Sequence, residues 1–127
     1  MKAWTSLTLA LVLGTAAHAQ AACSYPKAPD APPDGATATR DQMIAAKHDF
    51  DRYNTEMNSY LDCLKLEMDA AAAPKDPAKL TPAEKKAADD QQKILVQKNN
   101  AAVDELQAAV GRFNEQLKIF KAKQQKS

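Results

Sequence analysis

Glycine, cysteine, histidine and aromatic residues are all scarce in this chain of 127 residues, with 3 Gly, 2 Cys, 2 His and 6% aromatics. No segment alternates as a strand does, no internal repeat is visible, and no apolar run is long enough to stay in a bilayer. No P-loop, G-x-S-x-G, HExxH or calcium-loop motif occurs. His18 and His48 have no Cys or His at metal-ligand spacing. Asp49, Asp51 and Glu56 are scattered along one segment rather than opposed across a pocket. These absences argue against an enzyme and leave catalytic residues, metal ligands and cofactors unassigned. Charge of one sign is missing as well. The 17 basic residues, one of them Lys2, stand against 16 acidic ones, a balance that argues against a nucleic-acid binder.

The N-terminus reads as an export signal. Lys2 is a short basic start, Leu7 to Leu13 an apolar stretch, and Ala17-His18-Ala19 an A-x-A cleavage site; Ala19-Gln20-Ala21 is a second one. Export implies a periplasmic or secreted protein, and two thiols in an oxidising compartment pair with one another. A lipidated Cys23 is the alternative, although Gln20 stands where a lipobox wants an aliphatic residue.

What the chain does have is proline in register. Pro26, Pro29 and Pro32 recur every third residue, with Cys23 one step earlier. A polyproline II strand has three residues per turn, so these four share a face. Its rise of about 3.1 Å per residue carries Pro32 back to Cys23 over roughly 28 Å. A helix needs roughly nineteen residues for that distance. Counting back from Cys63 by that number lands near Ile44, just inside a helix start. An arm folded back along the helix therefore brings Cys23 to Cys63.

Ala, Lys, Gln, Glu and Asp dominate the second half, a usage that points to long helices. Thr39 and Gln42 form a capping box. Met43, Ala46, Phe50, Tyr53, Met57, Tyr60 and Leu64 then alternate at spacings of three and four, widened on one flank by Leu61 and Met68. Pro74-Lys75-Asp76-Pro77 breaks the pattern. Thr81, Pro82 and Glu84 open a second helix with another capping box. Its stripe is Ala88, Leu95, Ala102, Leu106, Ala109, Phe113, Leu117 and Phe120, widened by Val96, Val103 and Val110, with weak points at Asn99-Asn100 and Gly111.

The expected fold is therefore all-α: a long antiparallel two-helix hairpin with an N-terminal polyproline II arm folded back on the first helix. The parts are a signal peptide at 1–19, an arm and turn at 20–38, and a hairpin at 39–127, with helices at about 40–73 and 82–123 and a loop at 74–81. Pro26, Pro29 and Pro32 are expected to dock on Phe50, Tyr53, Met57 and Tyr60. Pairing outward from the bend sets Met43 opposite Arg112 and leaves Phe113, Leu117, Ile119 and Phe120 beyond the first helix. There they cover the arm's turn, bind a second copy or meet a partner.

The stretch from Pro26 to Met57 resembles the pancreatic-polypeptide fold: prolines every third residue, the turn Asp34-Gly35, the helix start Ala38-Thr39-Arg40-Asp41-Gln42-Met43, and Tyr53. The resemblance implies shared architecture only, since the Arg-x-Arg-aromatic tail of such hormones is missing. The precursor as a whole resembles short secreted proteins of Gram-negative bacteria, with a Cys, a Pro-rich arm carrying Pro-Asp-Gly, an Ala-Thr helix start and Tyr-Leu-x-Cys-Leu from Tyr60 to Leu64. Leu80-Thr81-Pro82-Ala83-Glu84 is similar to the Leu-Thr-x-x-Gln motif of Spy/CpxP-type periplasmic chaperones, with Glu in place of Gln and without the second copy of the motif.

Three functional readings follow. The first is a non-catalytic structural or protein-interaction module that associates with itself or another protein. The second is a small stress chaperone whose Met43, Met57 and Met68 adapt to varied clients. The third is an envelope protein whose basic end, Lys118 to Lys126, touches an anionic surface. None requires nucleic acid, or a transmembrane segment once the signal is removed.

Overall fold

The computed structural model describes residues 23–72, 76 and 78–126. The signal peptide, residues 20–22, and Ala73, Pro74, Lys75, Pro77 and Ser127 lie outside the described residues. Two helices, α1 (Arg40–Ala72) and α2 (Pro82–Gln124), pack against each other, and no strand occurs among the described residues. No helix among them is long and apolar enough to cross a membrane.

Each helix begins where its side chains satisfy the free backbone donors. At α1 the Gln42 N–H donates to Thr39 Oγ1 at 3.2 Å and the Thr39 N–H donates to Gln42 Oε1 at 2.8 Å. Thr81 and Glu84 repeat the box at α2, with Pro82 at the first helical position. α2 then runs unbroken for 43 residues through Asn99, Asn100 and Gly111. At Gly111 an added Cβ would meet nothing within 4 Å. Gly111→Ala is therefore expected to raise stability by about 0.5–1 kcal/mol, read as a higher urea midpoint at unchanged slope.

The core is the seam between the helices. Met43, Tyr53, Met57, Tyr60 and Leu64 of α1 are buried, as are Leu95, Ala102, Ala109 and Phe113 of α2. Burying a side chain the size of Met57 or Leu64, which expose 0% and 1%, contributes about 1.5–3 kcal/mol each. Leu95, Ala102 and Ala109 recur at heptad spacing. The two alanines lie in the same cluster as Tyr53, Met57 and Tyr60, where small side chains leave room for large ones. Ala88, at the start of the expected stripe, is exposed.

The register differs from pairing outward from the bend. Phe113 stacks on Phe50, with ring centroids 5.1 Å apart and planes 3° from parallel. That contact slides α2 by about two helical turns relative to a pairing of Met43 with Arg112. The fit of side chains across the seam sets this displacement, and the Thr81–Glu84 capping box permits it. The box starts α2 without help from α1, so residues 82–89 are helical yet wholly exposed, and the seam begins only at Leu95.

Ahead of α1, residues 23–34 have no regular secondary structure, but their burial has a period of three. Cys23, Pro26, Pro29 and Pro32 are half-buried and the residues between them exposed, the pattern of a strand with three residues per turn. The arm ends in a turn at Asp34, whose backbone carbonyl accepts from Thr37 and Ala38 and whose side chain accepts from the Ala36 N–H at 2.9 Å. The turn docks on α2, where the Gly35 N–H donates to Gln116 Oε1 at 2.8 Å.

Candidate functional site

The arm and the face beneath it bring most of the chemically distinctive residues together. At one end Cys23 and Cys63 form a disulfide with Cα atoms 5.7 Å apart, across 40 residues of chain. A sulfur in a disulfide cannot also carry a thioether lipid, so this bond is incompatible with lipidation at Cys23. Next to it all three tyrosines gather. Tyr25, which lies off the proline ladder, sets its ring edge-on to Tyr60 at 5.1 Å and 78°. Tyr53 lies in the core, and its hydroxyl is buried without a hydrogen bond of acceptable geometry.

Burial, and then the nearby Tyr25 phenol, push the Tyr53 hydroxyl up to about 12. Burial also raises Tyr60, with smaller contributions from Tyr25 and Glu67. A phenol with a raised folded pKa favours folding while it stays protonated. Stability is therefore fully present below the unfolded value near 10 and is lost as pH rises toward about 12. An alkaline titration followed by tyrosinate absorbance should show Tyr53 ionising together with loss of helix, and Tyr53→Phe should remove part of that dependence.

Midway along the arm lies an open groove of about 470 Å³. The Phe50–Phe113 pair forms part of its lining, and Pro29, Pro32, Asp49 and Arg112 stand around it. Arg112 is paired with Glu105 at 3.2 Å and Asp49 with Arg52 at 3.3 Å, both exposed and so of small energetic value. The groove presents proline and aromatic surface with paired charges at its edge, an arrangement suited to packing.

Of the remaining residues singled out from sequence, Phe50 is half-buried, and Met57 and Tyr60 are in the core. Phe113 is buried against Phe50, Leu117 and Phe120 are half-buried, and Ile119 stays 39% exposed. Most of that apolar surface is occupied within the chain, with the turn at Gly35 seated against Gln116, Ile119 and Phe120. His48 is exposed.

Three residues of the site escape a reading from sequence. Tyr25 has no periodic signal. Gln116 is one of many glutamines. Glu67 carries a usable clue, standing one helical turn beyond Cys63. Its Oε1 lies 3.1 Å from Cys23 Sγ and 3.4 Å from the Cys23 amide nitrogen, whose N–H donates to it.

Among the described residues, the arm does not reach the far side of the hairpin. At 100° per residue, Leu61 and Met68 on α1 and Val96, Val103 and Val110 on α2 border the seam on the flank opposite Cys63, Glu67 and Arg112. Leu61, Met68, Val103 and Val110 are half-buried and Val96 is exposed. The same geometry places the uncharged amides Asn100, Gln107 and Asn114 outside the valines on α2, and Asn54 and Asn58 together with the exposed Lys65–Asp69 ion pair outside Leu61 and Met68 on α1.

No protein-family model matches the chain, and no curated protein or solved structure matches it either.

Proposed function

We propose that this protein is a non-catalytic interaction module of the periplasm or the secreted space, a strapped helical hairpin that associates with a second copy of itself through the flank the arm leaves open. One observation carries the reading. The arm covers one of the two grooves beside the seam, while the other keeps an apolar stripe, bordered by uncharged amides on α2 and by Asn54, Asn58 and the exposed Lys65–Asp69 pair on α1. Depletion of charge at the apolar centre of a patch, inside a polar rim, is the compositional mark of a protein interface. A second hairpin laid against that stripe would complete a four-helix arrangement.

The disulfide supports an oxidising compartment, which agrees with export. The chaperone reading draws no support from the methionines, since Met43 and Met57 are in the core and Met68 is half-buried. The basic end keeps Lys118, Lys121 and Lys126 exposed beside Ile119, which suits the negative end of the α2 dipole and equally an anionic surface.

Sedimentation equilibrium of the oxidised mature protein over a concentration series tests the proposal. A dimer is expected, weakened by Val96→Lys together with Val103→Lys while each monomer keeps its helix content. A strict monomer at high micromolar concentration would overturn it. So would a dimer indifferent to both lysines.

A further inference from the structure

We propose that the reduced form of this protein holds one divalent cation of the zinc class between the Cys23 and Cys63 thiolates and the Glu67 carboxylate, and that disulfide formation releases it. The donor atoms of these three half-buried residues all lie within 4.8 Å of one another. Bonds of about 2.3 Å to sulfur and 2.0–2.2 Å to oxygen place tetrahedral ligands roughly 3.5–3.8 Å apart, so reduction and small side-chain rotations suffice to enclose an ion. Water would take the fourth position.

The arrangement of the donors supports this. Cys63 and Glu67 are four residues apart on α1, and the face they share is built by the helix itself. Cys23 comes from the arm, which is held by more than sulfur. The Gly35–Gln116 hydrogen bond, the half-buried prolines and the Tyr25–Tyr60 contact all remain when the disulfide is opened. The third donor is therefore kept near the other two in the reduced state.

Glu67 supplies the second line of evidence. It is half-buried and makes no ion pair among the described residues. Its oxygen faces a disulfide sulfur that carries no proton to donate, so its only donor among the described residues is the Cys23 amide at 3.4 Å. A carboxylate against electron-rich sulfur lacks compensating positive charge. A cation between them supplies it, and two thiolates with a carboxylate suit zinc better than magnesium or calcium.

The chemistry balances in both directions. A dithiol reductant delivers two electrons and two protons to the disulfide and becomes a disulfide itself. The cation then displaces the two thiol protons and binds two thiolates and one carboxylate, leaving a site of net charge minus one. A disulfide-bearing oxidant takes back two electrons and picks up from water the two protons released when the cation bound, becoming a dithiol, while the Cys23–Cys63 bond re-forms and the cation leaves.

The experiment uses the mature protein reduced with a phosphine, which adds no competing thiol. Cadmium is titrated in while the thiolate-to-metal charge-transfer band is followed, and zinc is then used to displace it. Saturation at one ion per chain is expected for the reduced protein and no band for the oxidised one. Glu67→Gln should weaken binding by about ten-fold or more with circular dichroism unchanged, in the range that perturbed metal sites show. Cys63→Ser should remove saturable binding. The proposal is overturned if Glu67→Gln binds cadmium as tightly as the parent, or if the reduced parent does not saturate at one ion. Amide spectra showing residues 23–34 released from the hairpin on reduction would overturn it as well.

Discussion

Replacing both Cys23 and Cys63 with serine is expected to lower global stability by about 4 kcal/mol, the chain-entropy value for a loop of this size. The bond closes 40 residues of separation, so the unlinked unfolded chain gains a large set of conformations. The loss acts mostly through the unfolded state. The arm keeps its hydrogen bond at Gly35 and its half-buried prolines, and the folded variant should retain the helix content of the parent. Urea denaturation separates the two effects. The midpoint should fall steeply and the slope should rise, because an unlinked chain exposes more surface on unfolding. In a thermal melt the same change corresponds to roughly 20 °C. A loss below about 1 kcal/mol would mean that the arm constrains the unfolded chain little or that the bond strains the native one.

Gly35→Ala is expected to cost about 3 kcal/mol, through overpacking and the loss of a part-buried hydrogen bond. No glycine among the described residues has a positive φ, so conformational freedom is not why glycine stands here. The reason is distance. An added Cβ would collide with the Gln116 carbonyl oxygen and lie 2.8 Å from the Phe120 amide nitrogen. Both are backbone atoms of a continuous helix and cannot rotate aside. The turn would have to lift, breaking the Gly35–Gln116 bond and uncovering Phe120. Amide chemical-shift changes confined to residues 34–38 and 113–121, together with a lower urea midpoint, are the expected signature. A variant as stable as the parent would show that the turn is not seated on α2.

Much of this molecule is written in local patterns. The helices begin at Arg40 and Pro82 because Thr39–Gln42 and Thr81–Glu84 satisfy the first backbone donors wherever those residues occur. α1 is helical as far as Ala72, and the expected end at about 73 lies outside the described residues. The buried faces follow from spacing alone, as Met43, Tyr53, Met57, Tyr60 and Leu64 show. Even the pairing of Cys23 with Cys63 is legible, because three residues per turn in the arm and 3.6 in the helix convert residue number into length.

Other features depend on how two surfaces meet, and no local pattern encodes that. Pairing from the bend misplaces Phe113 because the offset between the helices is chosen by the fit of Leu95, Ala102 and Ala109 against the tyrosines and methionine of α1. That offset occupies the apolar end of α2 with the turn and with Phe50, and leaves Val96, Val103 and Val110 on the open flank. Tyr25 and Glu67 belong to the site through reach, a long side chain from the arm and a carboxylate one turn beyond Cys63.

The sequence by itself determined which segments are helical, where they start, which residues face inward and which cysteines can meet, since each is a matter of backbone donors and residue spacing within one stretch of chain. Only the tertiary structure decided the sliding of α2 along α1, the seating of Gly35 on α2 and the choice of covered and uncovered flank. Those depend on the volumes of side chains that meet across the seam, and volume matching is a property of pairs of residues far apart in the chain.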